Sequence, residues 1–135
     1  MLKNVFLGVF FILLVVSGCA HVEEYNKASL FTSTTDAYDH AIRWSIFEEA
    51  ANFLKPVPGS SGRTGVETLE AIRVTSYHVK RISFSEEKTT VRREVNIRYY
   101  HKNGLVEKAV RDYQVWEYDE ENTVWYLISG LPRLK

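Results

Sequence analysis

The stretch from Thr89 to Tyr118 restricts the fold more than any other part of the chain. In "TTVRREVNIRYYHK", Val91, Val95, Ile97 and Tyr99 share one parity, and Arg92, Glu94, Asn96 and Arg98 share the other. Successive side chains of a strand point to opposite faces, so this strand has one apolar and one polar face. Asn103-Gly104 follows, a dipeptide suited to a two-residue hairpin because both turn positions favour positive φ. "LVEKAVRDYQVWEY" returns along the first run, and "DEEN" turns the chain into "TVWYLIS". Upstream, "LEAIRVTSYHVKRISFS" carries Ile72 and Val74 on one parity and Tyr77 and Val79 on the other, before Ile82 and Phe84 switch back. Each slip predicts a bulge or bend in a long strand. The reading is four consecutive antiparallel strands.

A helix precedes them. "TSTTDAYDHAIRWSIFEEAANFLKP" offers Thr34, Thr35 or Asp36 as caps for the first orphan N–H groups, and Pro56 stops the helix just after Lys55. At the helical period Ile42, Trp44, Ile46, Phe47, Ala50, Ala51, Phe53 and Leu54 fill one broad arc, opposite Ser45, Glu48, Glu49 and Asn52. Such a helix lies across a large apolar surface, here a sheet. The expected class is α+β, with one long helix packed on a curved four-stranded antiparallel sheet and preceded by a cleaved signal helix. Trp44, Phe47 and Phe53, with Trp125 or its neighbours, are the expected core. Between helix and sheet, "KPVPGSSGRTGVE" lacks the G-x-x-x-x-G-K-[ST] pattern and follows a helix instead of opening one, so it reads as a surface loop.

The N-terminus has a separate logic. Lys3 precedes the apolar segment Val5–Val16, 12 residues long. As a helix this would reach about 18 Å at ~1.5 Å per residue, short of the ~20 apolar residues that a bilayer core requires. A charged start, a short apolar core and a small-residue end are the parts of a secretory signal. Val16, Ser17, Gly18 and Cys19 resemble the lipobox of bacterial lipoproteins. The resemblance implies cleavage before Cys19 and lipidation of its thiol and new amine, which holds the protein to a membrane through at least two chains. Ala20, where an aspartate would signal inner-membrane retention, implies the outer membrane, facing the periplasm. Cys19 is the only cysteine, so the mature chain has none left for disulfides or catalysis. The expected organisation is a signal peptide over 1–18, the lipidated cysteine and a tether over 19–33, in which Leu30 and Phe31 can dock on the domain and order part of the segment, and the helix-plus-sheet domain over 34–135.

The chain carries 17 basic and 17 acidic residues, and losing Lys3 barely disturbs that balance. No nucleic-acid partner is expected, because such binders carry a marked basic excess. Lys80, Arg81, Arg92, Arg93, Arg98, Lys102, Lys108 and Arg111 lie mostly on the strands, interleaved with Glu86, Glu87, Glu94, Glu107 and Asp112. Cross-strand ion pairs on a solvated face are expected from that mixture.

The element order and the closing segment "YQVWEYDEENTVWYLISGLP" resemble nuclear-transport-factor-like domains of small envelope lipoproteins. Trp116, Trp125, Tyr126, Leu127, Gly130 and Pro132 carry the likeness, which implies a cone-shaped α+β fold, often with a pocket at its open end. Some members are enzymes with a pocket carboxylate. The possible pocket mouth here is Asp39, His40 and Arg43, with Asp39 and Arg43 spaced i,i+4 as an ion pair. That pairing leaves no catalytic residue to assign, and Asp39→Asn is expected to cost only a little helix stability. His21, His40, His78 and His101 are too scattered for a metal site, and no cofactor motif is present. The expected function is a non-enzymatic, lipid-anchored envelope module that binds a protein or a small apolar ligand. The alternatives are a cone-fold enzyme acting on a small hydrophobic substrate, and an assembly lipoprotein that docks a partner on a sheet edge.

Overall fold

The computed structural model describes residues 22–60 and 65–135, and the chain divides into two compact units, 1–33 and 34–135. The signal segment and the lipobox Val16, Ser17, Gly18 and Cys19 lie outside the described residues. The first helix, α1 (Leu2–Arg43), is described from Val22. Within the first unit, residues 22–33, in the segment expected as the tether, are helical. Their serine and threonine hydroxyls do not compete with the helix. Thr32 Oγ1 donates to the Ala28 carbonyl at 3.2 Å and Ser33 Oγ to Leu30 at 3.1 Å, so both bond back onto helix carbonyls.

In the second unit, Thr34, Thr35 and Asp36 are helix interior and not caps, and Thr35 is buried. The expected single helix to Lys55 breaks instead at Ser45, whose φ is 60°. Ile46 N–H donates to the Ala41 carbonyl at 2.8 Å and Ser45 N–H to Ile42 at 3.0 Å. These are the paired bonds of a Schellman helix end, with serine in the left-handed position that glycine usually takes. The strain has a partner: Ser45 Oγ accepts a 2.9 Å bond from the Val74 N–H, outside the helix. A short helix, α2 (Phe47–Ala51), then starts in a new direction.

That break corrects the apolar arc. A left-handed residue resets the helical phase, so residues on its two sides no longer share one face. Tyr38, Ala41 and Ile42 of α1 and Phe47, Ala50 and Ala51 around α2 are buried, but Trp44 is 62 % and Ile46 38 % exposed. Trp44 is therefore not a core residue.

Four strands follow a 3-10 turn at Glu67–Leu69: β1 (Ile72–Phe84), β2 (Thr90–His101), β3 (Lys108–Asp119) and β4 (Val124–Leu127). They form one antiparallel sheet in the order β1-β2-β3-β4. The β1–β2 register shifts twice, between Val74 and Ser76 and between Val79 and Arg81, where the parity of the sequence slips. Tyr77 faces Ile97, and Ile82 faces Arg93, as a result. The β2–β3 register, with Thr90 opposite Glu117 and Tyr99 opposite Lys108, is centred on Asn103-Gly104. The turn itself is wider than the predicted two residues. Gly104 and Leu105 N–H both donate to the His101 carbonyl, at 3.1 and 3.0 Å, and Leu105 takes the positive φ.

The core lies between helix and sheet. Tyr38 meets Trp116 edge-to-face at 5.2 Å and Phe53 at 5.8 Å, an arrangement that aromatic quadrupoles favour. Val91, Val95, Ile97, Trp125 and Leu127 are buried around them. On the last strand Trp125 is the deep aromatic and Tyr126 is half-buried. Residues 53–55 cover the outer edge of β4, with Leu127 N–H donating to Phe53 at 2.8 Å. At the other edge, β1 ends the sheet.

Candidate functional site

Arg93 occupies the apolar parity of β2, between Val91 and Val95, and is 4 % exposed. A guanidinium so placed needs a counter-charge, and α1 supplies it. Arg93 Nη1 and Nη2 donate to Asp39 Oδ1 and Oδ2 at 3.0 and 2.6 Å. The fork-to-fork geometry is the strongest form of an arginine–carboxylate pair. β3 adds Gln114, which is buried and accepts from Arg93 Nη1 at 3.1 Å and from Trp116 Nε1 at 3.2 Å through Oε1. Its amide Nε2 donates to the Tyr77 hydroxyl at 2.9 Å and to Asp112 Oδ2 at 3.0 Å. Tyr77 on β1 in turn donates to Asp39 Oδ1 at 2.6 Å. Helix and three strands thus meet in one polar cluster within the core.

The electrostatics follow from that burial. Desolvation pushes the Asp112 carboxyl above its ordinary range, against the opposing hydrogen bond from Gln114 and the charge of Arg93. The Tyr77 hydroxyl is pushed up by burial first and by the Asp39 charge next. Tyr38 is likewise held protonated, mainly by burial. Burial works against the charge of Arg93, but the hydrogen bonds and charge of Asp39 outweigh it and leave its pKa raised. Two buried atoms have no hydrogen-bond partner among the described residues, Arg93 Nε and the Tyr38 hydroxyl.

The predicted pocket mouth is dispersed. Asp39 turns inward to Arg93 and not to Arg43. Arg43 Nη1 donates to the Val74 carbonyl at 3.1 Å, and its guanidinium lies 5.1 Å from the centre of the Trp44 ring. His40 is exposed, 6.3 Å from the same ring. Arg93 also leaves the set of surface cations to which its residue type assigned it. The cluster was nonetheless visible in the parity: Arg93 shares the parity of Val91 and Val95, and Asp112 and Gln114 share that of Val110 and Trp116. An ionic residue at an inward position demands a partner, and that requirement identifies the cluster.

On the opposite face of the sheet lies an open groove of about 760 Å³, lined by side chains of β1, β2 and β3 that include Ser76, His78, Lys80, Asn96, Arg98 and Arg111. Two of the expected cross-strand ion pairs border it, Arg98–Glu107 and Arg111–Glu94, each at 3.4 Å. On the core face of the sheet, Val79, Ile82 and Phe84 of β1 are exposed.

The chain matches no family model, no curated protein and no solved structure. Among the described residues no group of three His, Cys, Asp or Glu could hold a metal ion, and no helix is long and apolar enough to cross a membrane.

Proposed function

We propose that this protein is a lipid-anchored component of the cell envelope, held through Cys19, whose domain over 34–135 acts by binding and not by catalysis. The observation that carries the binding part is the groove on the outer face of the sheet, which three strands build. The polar cluster supports the same reading in a negative way. Asp39, Gln114 and Tyr77 spend their hydrogen bonds on one another and on Arg93, an arrangement that fixes α1 to the sheet. The polar lining of the groove favours a polar ligand over the small apolar one expected from the sequence. Strand addition at β1 is disfavoured, since its two bulges and the exposed Lys80 and Arg81 are devices that block edge pairing.

Two measurements test the reading. Mass spectrometry of membrane-extracted protein should find Cys19 acylated at the N-terminus, and an intact Met1 chain in mature envelope fractions would overturn the anchor. A photo-cross-linking residue placed in cells at Asn96, in the groove, should yield discrete adducts that the same residue at Glu48 does not. Equal or absent labelling at the two positions would overturn the groove as the working surface.

A second reading, a cone-fold enzyme, draws on Asp112, a half-buried carboxyl with raised proton affinity, since such groups concentrate at catalytic sites. It predicts that Asp112→Asn removes an activity toward a small hydrophobic substrate while the fold survives.

A further inference from the structure

The outer-face groove has a floor with a definite grid. The registers place His78 opposite Asn96 and Asn96 opposite Arg111, in one row across β1, β2 and β3. The adjoining row is Ser76, Arg98 and Ala109. Arg98 and Arg111 are therefore diagonal neighbours on adjacent strands, at the ~7–8 Å spacing that long side chains bridge easily. Ala109, with only a methyl group, leaves open the space between their stems. Lys80 adds a third permanent cation, and Glu107 is the one carboxylate in the lining.

Two guanidinium groups at this spacing repel unless negative charge lies between or beside them. The carboxylates present do this weakly. Arg98–Glu107 and Arg111–Glu94 are both at 3.4 Å, and the arginine side chains are 64 % and 62 % exposed. Solvent-exposed pairs of that kind contribute little and exchange readily. Arg98 can rotate from Glu107, whose side chain is 51 % exposed, to an anion in the groove without leaving a buried charge behind. Arg111 would turn from Glu94, whose side chain is 22 % exposed, and so must reach the anion while staying near it. Planar guanidinium forks match phosphate oxygens in pairs, which a carboxylate neighbour at 3.4 Å does not achieve here.

We infer that this groove binds a phosphate-bearing ligand. Arg98 and Arg111 grip the phosphate, and Lys80 and His78 lie along β1 at its margin. Ser76 and Asn96 offer hydroxyl and amide groups to a hydroxyl-bearing residue attached to the phosphate, such as a glycerol or a sugar. The inference rests on the proposal that the groove is a binding surface. The same chemistry is offered by a soluble phosphate ester and by the headgroup of an anionic lipid.

The test uses the full chain in detergent micelles and follows the Asn96 side-chain amide and the Ser76, Arg98 and Arg111 backbone amides by NMR. The probes are glycerol 3-phosphate, with glycerol as the uncharged control. A parallel arm compares vesicles of phosphatidylcholine with and without one-fifth phosphatidylglycerol. Saturable shifts with glycerol 3-phosphate but not glycerol, weakened at least about tenfold in Arg98→Gln and in Arg111→Gln, support the inference. Shifts confined to the phosphatidylglycerol vesicles, and lost in the same variants, support it with the lipid headgroup as the source. No response in either arm overturns it, and so does a response that survives in the Arg98→Gln/Arg111→Gln double variant. Both side chains are largely solvent-exposed, so an unchanged melting temperature in the variants confirms that the fold is intact. If Asn96 still cross-links specifically in cells while these probes fail, the ligand class is wrong and the groove reading stands.

Discussion

Arg93 of β2 and Asp39 of α1 share two hydrogen bonds, at 3.0 and 2.6 Å, across the interface between sheet and helix. The Arg93 side chain is 3 % exposed and that of Asp39 is 22 % exposed, so the pair is shielded mostly on the arginine side. Removing one member leaves the other charge uncompensated. Asp39→Asn should therefore destabilise the domain by about 3–5 kcal/mol, well beyond the small loss of helix stability expected from an exposed i,i+4 pair. Replacing both residues, as in Asp39→Leu with Arg93→Met, should recover much of the loss, because paired apolar groups of similar volume need no counter-charge. A double-mutant cycle by urea unfolding reads the coupling directly, and additive losses would refute it.

Asp112 predicts the opposite sign. Its pKa is raised in the folded protein by burial, so folding favours the protonated form. Its contribution to stability is present below the ordinary carboxylate value of about 3.9, and is lost as pH rises through the higher folded value. At neutral pH the ionised carboxylate is a cost. Asp112→Asn should raise the melting temperature at pH 7, and the gain should shrink as the pH approaches 4. Melting curves over that range check it, and a variant less stable at pH 7 than at pH 4 relative to the parent would contradict it.

Ser45 combines a strained backbone at φ 60° with the hydrogen bond its Oγ accepts from Val74 N–H. Ser45→Ala keeps the strain and orphans the half-buried N–H, at a cost of about 1–3 kcal/mol. Ser45→Gly also loses the acceptor but is at ease in the left-handed region. Glycine should therefore cost less than alanine, the reverse of the order inside a helix. Chemical denaturation of the two variants decides it.

Trp44 and Trp116 should separate cleanly. Trp44 is exposed and has the Arg43 guanidinium beside its ring, so Trp44→Ala should change stability by no more than about 1 kcal/mol. Trp116 is wholly buried and packs edge-to-face with Tyr38, so Trp116→Ala should cost about 3–5 kcal/mol. Equal shifts in the two unfolding midpoints would mean that the helix has been placed on the wrong side of its break.

The strands were legible residue by residue because period-two alternation is local. Ile72 and Val74, then Tyr77 and Val79, then Ile82 and Phe84 already marked the two bulges, and the register bears out both. The α+β class and the order of helix and four antiparallel strands followed from the same kind of reading. The end of α1 did not, because a serine at φ 60° has no signature of its own. It is held there by Val74, which lies 29 residues away. From that one break followed the exposure of Trp44, which a continuous helix would have buried. The partner of Asp39 was also hidden, although Arg43 stood at ideal spacing on the same helix. Parity alone could show that Arg93, Asp112 and Gln114 point inward. Only the packing of α1 against β2 and β3 decided that they meet one another, because a buried charge takes the counter-charge that the fold brings within reach, and sequence distance does not record that proximity.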